Sequence, residues 1–349
     1  MSRSKPTIED VARVAGVSRA TASRVINNAP GASGPLRVRV HEAVAKLGYL
    51  PNEAARALAS GRPRAVDVIA VTCNPPGGWL GSNPYYSRVL AGMMPMLESV
   101  GAQLRVHALS HESAAEALDE IAAGVTLGAV LSDVPPALAA RFHRQCRRVV
   151  SLVPTAATVP AMVADNIGGA YAAIMQLHRL GCRRIAAIHG PVVSTCAADR
   201  RIGHLRAVQQ LGLPEISASA AFTREGGYDA AQRLLEDHPD IDAVFVACDL
   251  MAAGAVQALT VNGRRVPEDV SVIGFDDSVA AICTNPPLTT MRLPVEEMAA
   301  AAVRLLLLGD VVSGHRKLFP AELVLRDSTV RLPKPALTSQ PPTGSPCPW

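Results

Sequence analysis

Apolar residues in the first fifty positions recur every three or four residues, which is the spacing of one face of an α-helix. The pattern predicts three short helices, over about residues 8–15, 19–27 and 35–47. Gly16 ends the first helix and Gly48 ends the third. Because the first two helices are joined by a tight glycine turn, we expect a helix-turn-helix whose apolar faces close on the third helix.

Polar residues gather on the outward face of the second predicted helix and around the helix N-termini. In a helix-turn-helix the second helix enters the major groove of DNA, where arginine donates two hydrogen bonds to guanine and hydroxyl groups hold phosphates. The residues placed for these contacts are Thr7, Ser18, Arg19, Thr21, Ser23 and Arg24. Asn27 lies beside them, and Ala20 also points outward from the second helix. The alternative interpretation is a small helical capping domain that does not touch DNA.

From about residue 65 the pattern changes to short β-rich apolar runs that alternate with helical stretches near residues 85–100, 112–123 and 136–144. The predicted strands are VDVIAVT, AQLRVHA, LGAVLSD, RVVSLV, RRIAAIHG, ISASAAF, DAVFVAC and VSVIGF. Strands alternating with helices predict a parallel, doubly wound sheet. The rhythm restarts near residue 183, so we expect two α/β lobes with a ligand cleft at the carboxyl ends of their strands.

Charge is distributed unevenly along the chain. The net charge is +4, yet residues 1–64 carry 11 Lys and Arg against 4 Asp and Glu. This excess predicts an anionic partner for the N-terminal region. The chain opens without the apolar core of a secretion signal and contains no bilayer-spanning apolar run, so we expect a cytoplasmic protein. Its seven cysteines are odd in number and never in a C-x-x-C pair, as is typical of reduced thiols.

Motifs for enzymatic chemistry are missing from the sequence. It contains no G-x-x-x-x-G-K-[ST], G-x-S-x-G or H-E-x-x-H, and His107 and His111 straddle a predicted strand end and a loop. Asp276 and Asp277 are adjacent carboxylates, for which ligand binding is the simpler interpretation. We therefore expect no catalytic residue, metal or cofactor. A small-molecule binding protein without a regulatory role remains the alternative, although it would have no use for the basic helices.

Five motifs, TIEDVARVAGVSRATASRVIN, LGYLPNEAARAL, ADNIGGAYAA, VIGFDDS and PPLTTMRLP, occur in an order and spacing that closely resemble the LacI/GalR family of bacterial transcription regulators. The resemblance runs from Thr7 to about Arg331. It implies an N-terminal all-α helix-turn-helix headpiece with a hinge helix, followed by an α/β core of the type I periplasmic-binding-protein fold with two doubly wound lobes. It places Arg19 and Ala20 where operators are distinguished, and Arg24 where a base pair is read.

The same resemblance assigns a hinge to the segment PNEAARALASGRPR. Asn52 is placed to cap a short helix there, which is too short to be stable alone in water. In the family the hinge becomes helical on DNA, and Leu58 matches the leucine that wedges between base pairs, with Ala55 and Arg56 in the same minor groove. A free linker is the alternative interpretation.

Candidate effector contacts follow the ends of predicted strands. Arg200 and Asp276 match the family's hydrogen-bonding pair for a ligand, with an interlobe salt bridge as the alternative. Trp79 and Tyr85 come from a glycine-rich loop, where the Trp is placed either to stack on a sugar or to pack as a lid. Cys248 stands where the family often has asparagine, so Asp249 either gains ligand contacts or caps the next helix.

These observations give a domain plan. The chain comprises a DNA-binding domain at 1–50, a hinge at 51–64, a two-lobed ligand-binding and dimerisation domain at 65–332, and a disordered tail at 333–349. The plan assigns about 65–160 plus 292–316 to lobe 1, and about 161–291 plus 317–332 to lobe 2. We expect a homodimer that binds a pseudopalindromic double-stranded operator, responds to a small-molecule effector of sugar type, and represses genes of carbohydrate uptake or catabolism.

Overall fold

The computed structural model describes residues 6–26, 33–47, 63–72, 83–309 and 311–329. The chain divides into two compact units, residues 1–64 and 65–349. The predicted hinge core and the tail from 333 lie outside the described residues.

The N-terminal unit contains the three predicted helices, with ends that differ from the prediction by one residue at most. They are α1 (Ile8–Ala15), α2 (Arg19–Ile26) and α3 (Gly34–Leu47). Helix α1 begins with a capping box: the amide of Asp10 donates to Thr7 Oγ1 over 3.3 Å, and the amide of Thr7 donates to Asp10 Oδ2 over 2.9 Å. Gly16 follows α1 with a φ of 62°, which allows the sharp turn into α2.

One apolar cluster joins the three helices. Its fully buried members come from each helix, and they are Val11, Ala15, Val25, Val40 and Ala43. The side chain of Arg39 on α3 fixes the turn between α1 and α2, because its guanidinium donates to the carbonyls of Ala15 and Gly16 over 3.0 and 2.9 Å. This contact satisfies carbonyls that the end of α1 leaves without intrahelical partners.

The core unit contains two six-stranded sheets. The strands of the first sheet are β1 (Ala65–Thr72), β2 (Gln103–Ser110), β3 (Gly128–Ser132), β4 (Val149–Ser151), β5 (Ala161–Ala164) and β11 (Arg316–Phe319). Those of the second sheet are β6 (Ile185–His189), β7 (Ile216–Ser219), β8 (Ala243–Val246), β9 (Ser271–Asp276), β10 (Thr289–Arg292) and β12 (Glu322–Val324).

Helices cover these sheets. They are α4 (Pro84–Glu98), α5 (Ala114–Gly124), α6 (Pro136–Gln145), α7 (Asn166–Arg179), α8 (Thr195–Leu211), α9 (Arg224–Asp237), α10 (Asp249–Val261), α11 (Val279–Cys283) and α12 (Val295–Leu308). The strand orders are β11-β5-β4-β3-β1-β2 and β12-β10-β9-β8-β6-β7. Every pairing is parallel except that of β10 with β12. The two doubly wound lobes are thus confirmed, together with all eight strands predicted from the sequence.

The first sheet includes a few residues that the approximate domain plan placed in the second lobe. Residues 161–164 form strand β5, which pairs in parallel with β11 and with β4 and therefore belongs to the first sheet. The first sheet also includes residues 317–319, which were assigned to the second lobe. The sequence of a short buried strand does not show which of the two sheets it joins. Only its pairing with a neighbouring strand determines that.

Candidate functional site

Helix α2 exposes the face predicted to read DNA. Arg19, Ala20 and Arg24 are exposed, whereas Ala22 and Val25 are buried against the other helices. The buried and the exposed residues of α2 therefore lie on opposite faces of the helix, as helical periodicity predicted.

Hydroxyl groups and one ion pair organise the N-terminal end of α2. Ser18 Oγ accepts a hydrogen bond from the amide of Thr21 over 3.1 Å and lies 2.9 Å from Thr21 Oγ1. The guanidinium Nε of Arg19 lies 2.9 Å from a carboxylate oxygen of Glu9. Both partners are largely exposed, so this pair contributes little stability and can give way to a phosphate or a base. Ser23 is half-buried.

Five residues of the predicted sites lie outside the described part of the chain, and their roles stay predictions. They are Asn27, Ala55, Arg56, Leu58 and Trp79.

A cleft lies between the two lobes of the core unit. Residues that follow strands provide much of its lining: Asp133 follows β3, Asn166 follows β5, and Asp276 ends β9. The first lobe also contributes Asn83, Tyr85, Tyr86 and Leu152, and the second contributes Cys196, Arg200, Phe222, Cys248 and Leu250. The cleft therefore lies where a doubly wound fold is expected to bind ligand.

Arg200 is held in the cleft wall by buried partners. Its Nε donates to Asn166 Oδ1 over 2.8 Å, and Nη1 donates to the carbonyl of Ala247. Its Nη2 lies 3.0 Å from Asp276 Oδ1, and its guanidinium lies 4.0 Å from the ring centre of Phe275. The pair of Arg200 and Asp276 lies within the second lobe, so the interlobe salt bridge considered from the sequence is not formed.

Asp276 retains the capacity to accept a ligand hydrogen bond. Its ion pair with Arg200 is close, but no aligned hydrogen bond from the described residues reaches Oδ1. Burial raises the pKa of this carboxyl, while the nearby Arg200 and Arg88 act to lower it. Oδ1 itself is buried beside Arg200, while Asp276 is one of the residues that line the cleft.

Asp277, the neighbour of Asp276, braces the end of β9. Its carboxylate accepts from Arg292 Nε and from Arg326 Nη2, each over 2.6 Å. Burial acts to raise the pKa of Asp277, but the hydrogen bonds from these two arginines outweigh burial and the net pKa is lowered. Asp277 is therefore a positioning residue, because it fixes the backbone that carries Asp276.

Arg88 on α4 connects the first lobe to the end of β9 in the second lobe. Its Nη1 donates to the carbonyl of Asp276 over 2.6 Å, and its Nη2 donates to the carbonyl of Leu293 over 2.8 Å. It also forms a two-pronged pair with Glu296 over 2.6 and 2.7 Å. Sequence analysis missed Arg88, since its partners lie about two hundred positions away and no local pattern marks them.

Asp249 is not among the residues that line the cleft, and the ligand contact considered for it stays a prediction. The side chain is fully buried, and its oxygens accept from the amide of Ser278 and the hydroxyl of Thr290, each over 2.6 Å. Burial and the charge of Asp276 raise the pKa of Asp249 to about 7. The carboxylate anchors the loop after β9, because both of its oxygens are already occupied.

Tyr85 lines the cleft from the first lobe, and its contact with a ligand stays a prediction. Its ring meets that of Tyr86 edge to face, with 5.3 Å between centroids. The hydroxyl of Tyr86 lies 3.4 Å from Asp133 Oδ2, and Ser194 of the second lobe lies 3.4 Å from Asp133 Oδ1. Burial raises the pKa of Asp133. Asp133 was missed, although its position at the end of the predicted strand LGAVLSD could have identified it.

Two thiols line the second-lobe side of the cleft. Burial raises the pKa of Cys196 to about 11 and that of Cys248 further still, so both thiols are neutral. Of the seven cysteines, the five within the described residues are free, as the sequence predicted.

Histidines 107 and 111 have different surroundings. His107 Nε2 lies 2.8 Å from the buried Asp67 Oδ1, and His111 is exposed in a turn. Among the described residues no group of three His, Cys, Asp or Glu side chains is placed to hold a metal ion.

Family comparisons agree with this architecture. Residues 7–52 match the family described as bacterial regulatory proteins, lacI family, and residues 174–329 match the periplasmic binding protein-like domain. The chain is 34% identical to the HTH-type transcriptional regulator CelR of Thermobifida fusca over 348 residues, covering 93% of this chain and 99% of CelR. The chain belongs to the LacI family of bacterial transcriptional regulators. The helix-turn-helix, the cleft and the paired sheets are thus those of a DNA-binding regulator, not of an enzyme.

Other LacI-family proteins match over nearly their whole length. The HTH-type transcriptional repressor CytR of Escherichia coli K12 is 31% identical, with 94% of this chain and 97% of CytR covered. A solved CelR–cellobiose complex superposes with a TM-score of 0.69 at 31% identity, covering 93% of this chain and 99% of that one. The lac repressor dimer bound to operator and the anti-inducer ONPF gives the same TM-score and coverage at 26% identity.

Within the described residues, the helices of this LacI-family regulator are too short or too polar to cross a membrane.

Proposed function

We propose that this LacI-family regulator is a homodimeric repressor that binds a pseudopalindromic operator and responds to a small carbohydrate-type effector in the cleft. The observation that carries the proposal is the pair of Arg200 and Asp276, which lie 3.0 Å apart and both line the cleft. Such a pair suits a ligand with several hydroxyl groups. The regulated genes are those of carbohydrate uptake or catabolism, and the protein acts in the cytoplasm.

The relatives support this proposal. CelR has been solved with cellobiose, and relatives named ribose operon repressor align with 86–93% of this chain. The lac repressor has been solved as a dimer on operator DNA. We carry these properties over because the helix-turn-helix and the cleft are both present in this chain.

DNA contacts are proposed for the exposed face of α2 and its N-terminal neighbours. Arg24 reads a base, Arg19 and Ala20 set operator preference, and hydroxyls of Thr7, Ser18, Thr21 and Ser23, with Asn27, hold the backbone. In the hinge, Ala55 and Arg56 enter the minor groove, while Leu58 wedges between base pairs and bends the duplex.

The proposal is tested by selecting binding sites for the full-length protein from a random pool of duplex DNA. We expect the selected sites to be pseudopalindromes, because each protomer of a two-fold dimer reads one half-site. Neutral sugars, starting with cellobiose and ribose, are then titrated into the complex with a selected site. Recovery of sequences without two-fold symmetry, or affinity for the selected site that no sugar changes, would contradict the proposal.

A further inference from the structure

The chain passes from one lobe to the other after β5, after β10 and after β11. The passage after β10 is short. Only Leu293 and Pro294 separate β10, in the second sheet, from α12, which packs against α4 in the first lobe. A change in the angle between two lobes is absorbed by a few residues at the ends of elements, so this passage is placed to act as a hinge.

Arg88 fastens the passage after β10 to the first lobe. From α4, its Nη2 donates to the carbonyl of Leu293 over 2.8 Å, and its Nη1 donates to the carbonyl of Asp276, at the end of β9, over 2.6 Å. Both acceptors are backbone atoms, so these bonds hold the path of the chain and do not depend on the rotamer of a partner side chain. One arginine of the first lobe thus holds two neighbouring segments of the second.

The other end of this connection is firmly supported. Nε and Nη2 of Arg88 donate to the two carboxylate oxygens of Glu296 on α12, over 2.6 and 2.7 Å. One turn further along α4, a Cβ added at Gly92 would collide with the carbonyl oxygen of Glu296, so the backbones of the two helices touch there. The side chain of Arg88 is only 18% exposed, which limits competition from water. Arg88 therefore projects from a rigid pair of helices.

Asp276 connects this contact with the cleft. Its carboxylate lies 3.0 Å from Arg200 and lines the cleft, while its carbonyl accepts from Arg88. The φ of Asp276 is 108°, where a residue other than glycine has few accessible conformations. The carboxylate and the carbonyl are thus constrained to move together. A ligand that displaces the carboxylate must also disturb the bond between the carbonyl and Arg88.

A second side-chain contact between the lobes is weaker. Ser194 Oγ lies 3.4 Å from Asp133 Oδ1, which is long for a bond from a hydroxyl group. The bonds from Arg88 are short, and their donor is charged, which makes a hydrogen bond stronger. Arg88 should therefore contribute more than Ser194 to holding the lobes together.

We propose that Arg88 is a positioning residue that clamps Leu293 and the end of β9 to α4, holds the lobes in the arrangement of this structure, and transmits effector binding from Asp276 to the first lobe. The transmission rests on the proposed function, whereas the clamp does not. Lysine cannot replace Arg88, because an ammonium group lacks the planar fork that reaches a carboxylate and two carbonyls at once.

Amide hydrogen exchange of the full-length protein, measured by mass spectrometry, tests the clamp without an effector. We expect Arg88→Lys to speed exchange by about tenfold in peptides covering residues 274–280 and 291–297, and to leave residues 183–190 of the second sheet unchanged. Glu296→Gln is the matched control. Its amide oxygen still accepts from the guanidinium and both carbonyl bonds remain, so exchange at 274–280 should stay within about twofold of the unaltered protein.

Two results would overturn the clamp. One is exchange in Arg88→Lys equal to that of the unaltered protein. The other is equal acceleration at 274–280 in Arg88→Lys and Glu296→Gln, which would assign the effect to the ion pair within the first lobe. Melting temperatures of both variants check that they fold.

Transmission is tested with cellobiose and ribose on the free protein and on its operator complex. The ratio of the two dissociation constants of a sugar measures its coupling to operator binding. We expect Arg88→Lys to lower that coupling by about fivefold or more, with affinity of the free protein for the sugar within about threefold of the unaltered value. Glu296→Gln should keep the coupling within about twofold. This comparison separates transmission from general loss of structure, which would weaken sugar binding itself.

Unchanged coupling in Arg88→Lys would overturn transmission through Arg88 and leave the proposed function standing. If neither sugar changes the operator affinity of the unaltered protein, the proposed function and the transmission both fail. The exchange measurement then still decides whether Arg88 clamps the lobes.

Discussion

Asp276 and Asp277 have backbone φ angles of 108° and 55°, in a region that non-glycine residues rarely occupy. Each such residue costs about 1–3 kcal/mol of conformational energy. The cost is offset by Arg88 on the Asp276 carbonyl and by Arg292 and Arg326 on the Asp277 carboxylate. The strained corner holds the carboxylate of Asp276 beside Arg200 before any ligand arrives.

Two substitutions of Asp277 distinguish the effect of backbone strain from the effect of hydrogen-bond acceptance at the end of β9. Asp277→Ala removes both arginine partners and places a residue with no polar side chain at positive φ, so we expect the free energy of unfolding to fall by about 2–4 kcal/mol. Asp277→Asn keeps hydrogen-bond acceptance and tolerates the backbone, so its loss should be about half as large. Urea denaturation of both variants measures the difference. Equal losses would show that backbone strain and acceptance do not matter here.

Arg24 gives a second prediction for a single residue. We expect Arg24→Ala to weaken operator binding by about 1–3 kcal/mol and to relax base preference at one position per half-site, because a base contact is lost. Arg13→Ala, which removes an exposed arginine at the end of α1, is the matched comparison. Fluorescence anisotropy on operator and on random duplex measures both variants. If Arg24→Ala weakens both duplexes alike, Arg24 does not read a base.

At the scale of elements, strand β6 and helix α8 pack together through two buried histidines. The rings of His189 and His204 have centroids 5.0 Å apart, and none of their nitrogens has a hydrogen-bond partner among the described residues. Burial lowers the pKa of His189 to about 3, with contributions from His204 and Arg201, and burial and Arg201 lower that of His204 to about 4. Both rings are therefore neutral in the folded protein.

This packing predicts loss of stability in acid. The unfolded chain binds protons at a histidine pKa near 6.5, above the folded values, so stability is complete above that pH and falls as the pH decreases below it. At pH 5 we expect the free energy of unfolding to be lower by about 2 kcal/mol per histidine. Urea denaturation at pH 7.5 and 5.0 measures it, and His204→Phe should remove about half of the difference. An undiminished pH dependence in His204→Phe would contradict the assignment.

Sequence periodicity predicted the positions of helices and strands better than it predicted which strands pair with each other. The three headpiece helices and eight strands follow from apolar spacing, because each pattern is local. Strands β5, β10, β11 and β12 are three or four residues long and were not predicted as strands. Their sheet membership depends on pairing between segments as much as 155 residues apart, as between Ala161 and Arg316, which periodicity cannot reveal.

The candidate site was likewise predictable only in part. Arg200 and Asp276 match the family's hydrogen-bonding pair for a ligand, and the structure brings them together. Asp249 follows the position where the family often has asparagine, yet its carboxylate bonds to Ser278 and Thr290. No match to the family pointed to Asp133, which lines the cleft directly after β3.

At the scale of the whole molecule, the regulator must connect cleft occupancy with operator affinity. A ligand changes that affinity only by binding two lobe arrangements unequally, and typical coupling amounts to about 1–3 kcal/mol. The cleft has walls from both lobes, and Arg88 links α4 of the first lobe to the carbonyl of Asp276 in the second. Ligand contacts on both walls therefore bias the angle between the lobes.

Variants of the cleft should separate effector response from DNA binding. We expect Arg200→Ala and Asp276→Ala to bind operator with affinity near that of the unaltered protein but not to respond to effector, because the second-lobe contacts are lost. Trp79→Ala should raise the effector concentration needed by about tenfold without abolishing the response, as loss of one stacking contact does. Titration of effector into preformed operator complexes measures all three, and thermal melting checks their folding. An unaltered response in Arg200→Ala would remove the cleft from the mechanism.

The order of the strands also has a consequence for synthesis of the chain. Strand β5 is made roughly 150 residues before β11, its neighbour at the edge of the first sheet. At a translation rate of about 5–20 residues per second, the nascent sheet keeps an open edge for about 8–30 s. Unpaired edges of this kind recruit strands from other chains. A fragment that stops before residue 316 therefore keeps that edge permanently, so a gene truncated there should yield aggregates instead of a soluble two-lobed core.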